Sequence, residues 1–142
     1  MTREELLERY AAGERDFSGI GLDDVDISNA DLREADFSGA SMNQFFADGA
    51  NLSNTKLISS RLYQAGFTET NLVGADLSRA DLGDCSFLRA NLSGANLSGA
   101  NLSGANLFMA ELRDADLSGA IFCETYMPDG SIRNDSTSVA ES

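Results

Sequence analysis

Large apolar residues recur at every fifth position from Phe17 to Met127, and this spacing dominates the chain. The series opens Phe17, Leu22, Ile27, Leu32 and closes Leu112, Leu117, Phe122, Met127; 22 of its 23 members are large, and only Ala47 is small. A period of five fits neither the helix at 3.6 nor the strand at 2. In residues 90–109, ANLSGANLSGANLSGANLFM, three identical units stand end to end. For Leu92, Leu97, Leu102 and Leu107 to reach one core, the backbone must turn by about a quarter-circle per unit. Four units then close a square, so that residues twenty apart stack.

The positions around each centre obey the same rule. Two residues earlier the side chain is usually alanine, as at Ala30, Ala35, Ala75 and Ala90, so large and small residues alternate along the inner wall. Asp or Asn, then Ser, then Gly or Arg occupy the remaining places, residue types suited to corners and to water. One unit departs from the pattern: at Phe45 and Ala47 the large and small positions are exchanged. This predicts that Phe45 fills the space vacated at Ala47, with a local distortion of that coil.

Residues 2–12 predict a short helix. Thr2 with Glu5 makes a capping box, Leu6, Leu7, Tyr10 and Ala11 form one apolar stripe, and Gly13 stands where a C′ glycine belongs. A helix this short needs packing, and the open end of the first coil supplies a surface that must be covered.

The A-[D/N]-L-x-x array resembles the pentapeptide-repeat family. The opening GERDF and closing MPDGSIRN are similar to flanks found on members from photosynthetic bacteria. The resemblance implies an all-β solenoid, a right-handed quadrilateral β-helix. The expected organisation is a capping α-helix over 1–14, between five and six β-helix coils over 15–127, and a C-terminal turn with a frayed tail over 128–142. At ~4.8 Å per coil the rod should be roughly 28 Å long.

Composition narrows the function by exclusion. The chain has no histidine, which removes the commonest general base and metal ligand. It shows no phosphate-binding glycine loop and no paired Cys/His site, so no catalytic, cofactor or metal residues are assigned and an enzyme is not expected. Asp23, Asp24 and Asp26 cluster, but an EF-hand loop counted from Asp24 puts Ala35 where the bidentate Glu belongs. The repeat phase puts Cys85 inside and Cys123 outside, too far apart for a disulfide. No window reaches the ~18–20 apolar residues of a membrane span, and MTREELLERY is unlike a secretory leader. A cytoplasmic protein is expected.

Two function classes remain. The net charge is −13, and the family's gyrase-protecting members imply DNA mimicry against such an enzyme. The repeat region carries −9, about one charge per ~3 Å against one per ~1.7 Å in B-DNA. It is also uneven: residues 17–52 carry −6, 53–102 balance to zero and 103–127 carry −3. A scaffold that binds a protein partner is the preferred reading. The apolar residues expected to point outward are Phe46, Ile58, Tyr63, Val73, Leu88, Phe108, Met109, Ile121 and Tyr126. Phe46, Leu88, Phe108, Met109 and Tyr126 share one face, which makes them the candidate partner surface. Direct nucleic-acid or membrane binding is not expected. Members of the resembled family that dimerise end to end generally do so through a terminal amphipathic helix, so the resemblance implies that this chain, with none after the last repeat, is a monomer.

Overall fold

A computed structural model of the chain describes residues 1–135. Helix α1 spans Arg3–Ala11, and the repeats follow it as a continuous coil. Two short strands close the described chain, β1 at Thr125–Tyr126 and β2 at Ile132–Arg133.

The coil is defined by its register. Parallel bridges join residues twenty apart without a slip, from Asp16 with Asp36 to Asn106 with Tyr126. Each centre donates its N–H to the next coil, as Phe17 N to Asp36 O at 2.7 Å. The residue before each centre donates to the previous coil, as Asp36 N to Arg15 O at 2.8 Å. Within each unit a tight turn closes, as Val25 N to Leu22 O at 3.2 Å, with a positive φ at the residue before the donor (Asp24, 63°). Only a type II turn puts its single left-handed residue there. Four such turns complete one circuit.

The Asp and Asn residues preceding the centres have a structural task at these turns. Their side chains accept the N–H two residues on, as Ser18 N to Asp16 Oδ1 at 3.0 Å and Ser93 N to Asn91 Oδ1 at 3.0 Å. At three units where another residue stands there, the coil below supplies the acceptor instead. Asp23 takes Asn43 N–H, Asn43 takes Tyr63 N–H and Asp48 takes Thr68 N–H. The polar surface of the rod is therefore largely committed to holding its own backbone.

The core is the column of centres and their small neighbours. Phe17 stacks on Phe37 at 5.6 Å between ring centroids, and Phe67 on Phe87 at 5.1 Å. The exchanged pair is buried, Phe45 and Ala47 alike. The expected distortion is absent. Ile27 N to Phe46 O at 2.7 Å and Ala47 N to Gly66 O at 2.8 Å match the neighbouring rungs, and Gln44 has the φ of its counterparts. Both positions face the same interior, so exchanging large and small conserves volume and the backbone need not move.

Helix α1 has its capping box, with Glu5 N to Thr2 Oγ1 at 3.2 Å and Thr2 N to Glu5 Oε1 at 3.3 Å. It ends in a Schellman motif, with Gly13 N to Tyr10 O and Glu14 N to Arg9 O both at 3.0 Å. Leu6 is fully buried, Leu7 and Tyr10 partly so, and Ala11 is exposed rather than part of the buried stripe. The helix also satisfies carbonyls of the first coil that have no coil beneath them. Arg3 Nη1 donates to Asp26 O and Tyr10 OH to Arg33 O, each at 2.8 Å, and the N-terminal amine donates to Gly21 O at 3.3 Å.

At the other end the chain reverses. β2 pairs antiparallel with β1, Thr125 opposite Arg133 and Tyr126 opposite Ile132. Phe122 N donates to Asp135 O at 2.8 Å and Glu124 N to Asn134 Oδ1 at 2.7 Å. Residues 132–135 thus lie on the last coil rather than fraying. The rest of the expected tail, 136–142, lies outside the described residues.

Candidate protein-binding surface

The face centred on Ile27, Ala47, Phe67, Phe87, Leu107 and Met127 carries the apolar exceptions. Phe46 and Phe108 are 42% exposed, Met109 50% and Tyr126 48%; Leu88 is half-buried. Leu88 and Phe108 follow each other one coil apart. Tyr126 lies beside Asn106 on the same ladder, and Phe108, Asn106, Tyr126 and Gly130 line a hollow of about 330 Å³. Asn106 Oδ1 takes the Phe108 N–H at 2.9 Å, which fixes the backbone from which that ring projects. Met109 holds a left-handed φ of 61° at its corner.

Phe46 does not join this group. Four bridge steps separate it from Tyr126, through Gly66, Ser86 and Asn106, which is about 19 Å along the rod. Its ring instead covers the bare backbone of the next coil: a methyl on Gly66 would stand 3.0 Å from Phe46 Cδ1. Tyr63 covers Gly83 in the same way and donates its hydroxyl to Asp84 Oδ2 at 3.0 Å, a bond that pushes the phenol pKa up. These exposed rings fill space left by glycines.

Ile132, 55% exposed, extends the group, and no periodic signal marks it. Its place beside Tyr126 depends on the antiparallel return of β2, which a five-residue period does not encode. Among the described residues no cluster of His, Cys, Asp and Glu could hold a metal ion, and no helix is long and apolar enough to cross a membrane. Cys85 is buried and Cys123 exposed, both unpaired as thiols; burial pushes the Cys85 thiol pKa up. The carboxyls of Asp16, Asp26, Asp116 and Asp129 lie below their ordinary range. In each, a serine hydroxyl donates to the carboxylate and the same serine's N–H adds a second bond.

Comparison with known proteins follows the same lines. The crystal structure of Rfr23, a pentapeptide repeat protein from the cyanobacterium Cyanothece 51142, superposes with a TM-score of 0.78 at 27% identity, over 86% of this chain and 94% of that one. A pentapeptide repeat protein from the Arabidopsis thaliana thylakoid lumen matches with a TM-score of 0.51 at 30% identity, over 80% of this chain and 72% of that one. The fluoroquinolone resistance protein QnrB1 reaches only 0.43 at 20% identity, over 80% of this chain and 66% of that one, too weak to bear on function. A search of curated proteins gives no match. The description "Pentapeptide repeats", in eight copies, fits residues 16–44, 48–84 and 85–122, most of the chain. With its twenty-residue register and these matches, the chain belongs to the pentapeptide-repeat family, whose fold is the right-handed β-helix.

Proposed function

We propose that this protein is a non-enzymatic scaffold that binds a protein partner through the C-terminal half of one face, centred on Phe108 and Tyr126. The observation that carries this reading is the hollow that Phe108 and Tyr126 line together, with Leu88 one coil before Phe108, Met109 next to it in the chain and Ile132 paired with Tyr126. Monomeric proteins seldom leave such contiguous apolar area without a use, and aromatic residues at the centre of a patch supply most of the energy in protein interfaces. The long ladder makes the rod stiff, so the patch is presented preformed and binding costs little ordering.

DNA mimicry is the second reading, motivated by the charge of −13. Against it, the middle of the rod is neutral, and many of its carboxylates are engaged as turn acceptors.

The test is affinity capture with the native protein and a Phe108→Ser, Tyr126→Ser double variant, each checked by thermal melting. The expected result is one or more proteins retained by the native surface and lost from an equally folded variant. Identical retention by both would end the proposal. A supercoiling assay with gyrase separates the alternative, for which inhibition or protection is required.

A further inference from the structure

The two ends of the rod are finished differently. The first coil is covered by α1, whose side chains reach its free carbonyls. The last coil is covered over only half its circuit, where residues 131–135 take up Phe122, Glu124 and Met127. On the other half, among the described residues, the N–H groups of Leu112, Asp114, Leu117 and Gly119 and the carbonyls of Ala110 and Ala115 have no partner. One coil below, every counterpart is paired: Leu92 N to Glu111 O, Gly94 N to Arg113 O, Leu97 N to Asp116 O, Gly99 N to Ser118 O, Glu111 N to Ala90 O and Asp116 N to Ala95 O. The open edge lies beside an apolar cavity of about 530 Å³, lined by Ala110, Leu112, Leu117, Met127 and Pro128 among others.

We infer that this edge, 110–119, is a second binding site, which takes a segment of a partner polypeptide that bends with the coil and adds a β-layer to it, with an aliphatic side chain in the cavity and basic residues beside it. The unpaired N–H and C=O groups lie in ladder register on two sides that meet at the turn closed by Ala115 N and Leu112 O, and they call for a backbone that follows the corner, as residues 131–135 do over Phe122, Glu124 and Met127. The cavity supplies the apolar anchor point. The rim supplies the charge: Glu111, Asp114 and Asp116 are exposed beside Arg113, and Asp129 and Arg133 line the cavity, so acids outnumber bases four to two. Two copies of this chain placed end to end would oppose those acids, which electrostatic complementarity disfavours. The chain's own residues 136–142, STSVAES, carry one acid and no base. A Lys- or Arg-flanked segment from another protein meets all three requirements. The site adjoins the Phe108 surface across the 128–131 turn, but no residue lines both hollows.

Amide hydrogen exchange on the full chain tests this, with the peptide Lys-Thr-Val-Leu-Val-Thr-Lys as probe. In the free protein, Leu112, Asp114, Leu117 and Gly119 should exchange faster than Leu92, Gly94, Leu97 and Gly99. Saturating peptide should slow the first four about tenfold or more. A peptide with proline in place of leucine, or glutamate in place of both lysines, should have little effect. In a Glu111→Lys, Asp114→Lys variant the preference should pass to the glutamate-flanked peptide. The inference is overturned if the four amides are already protected in dilute free protein, since residues 136–142 would then cover the edge. Protection that rises with protein concentration alone would overturn it in favour of a second copy. Equal effects of the proline peptide, or a charge preference unmoved in the folded variant, would also overturn it.

Discussion

Phe87 lies on Phe67 with the ring planes 9° apart and the centroids at 5.1 Å, although twenty residues of chain separate them. One circuit of the coil brings each ring onto its predecessor, and both are fully buried. The contact is a direct measure of the coil's length.

Truncating one ring therefore opens a cavity between two coils that cannot slide together, because the ladder holds their spacing. Phe87→Ala should cost about 3–5 kcal/mol, and Phe87→Leu considerably less. Urea titration followed by circular dichroism gives the comparison. Equal midpoints for the two variants would show that the stack collapses freely.

The corners make opposite predictions for glycine and for everything else. Gly104 has a φ of 71°, and an added methyl would run into Asp84 Oδ1. Gly104→Ala should destabilise by about 1–3 kcal/mol. Glu69 holds a φ of 57° without glycine's freedom. Glu69→Gly should raise stability by up to about 1 kcal/mol, as relief of strain outweighs the extra freedom of the unfolded chain. Thermal melts of both variants under one buffer decide the signs.

Acid should loosen the rod through its serine-bound carboxylates. Asp16, Asp26, Asp116 and Asp129 titrate lower folded than unfolded, first because of the serine hydroxyl and then because of its N–H. A depressed folded pKa contributes stability that is fully present above the unfolded value of ~3.9 and disappears as pH falls through the folded values. Melting temperature should hold down to that region and then drop. Ser28→Ala and Ser118→Ala should bring the NMR titrations of Asp26 and Asp116 back toward the ordinary range.

The two thiols should separate cleanly. Cys123 is exposed, while Cys85 is buried and its thiolate is disfavoured by desolvation. Iodoacetamide should modify Cys123 at once in the native protein and Cys85 only after denaturation, as mass spectrometry of tryptic fragments would show. Early modification of Cys85 would mean that its coil opens.

The period of five made most of this architecture legible. It placed Phe17 on Phe37, Cys85 within and Cys123 without, because a column of side chains needs only the circuit length to be known. It could not say which centres lack a coil above them. Leu112 and Met127 read as core, yet both are only partly buried at the open end. It grouped Phe46 with residues that lie far along the rod, because a shared face fixes the side and not the distance. Ile132 was illegible because it arrives by an antiparallel return. The Phe45–Ala47 exchange looked like damage because the pattern counts positions, whereas packing counts volume.

Helix α1 gives the molecule a direction in time as well as in space. It is made before the repeats, and it is the floor on which residues 16–35 lie. Each later circuit finds partners in place one layer down for half of its ladder groups, while the N–H groups of its centres wait for the circuit that follows. Folding can therefore keep pace with synthesis, coil by coil from the capped end.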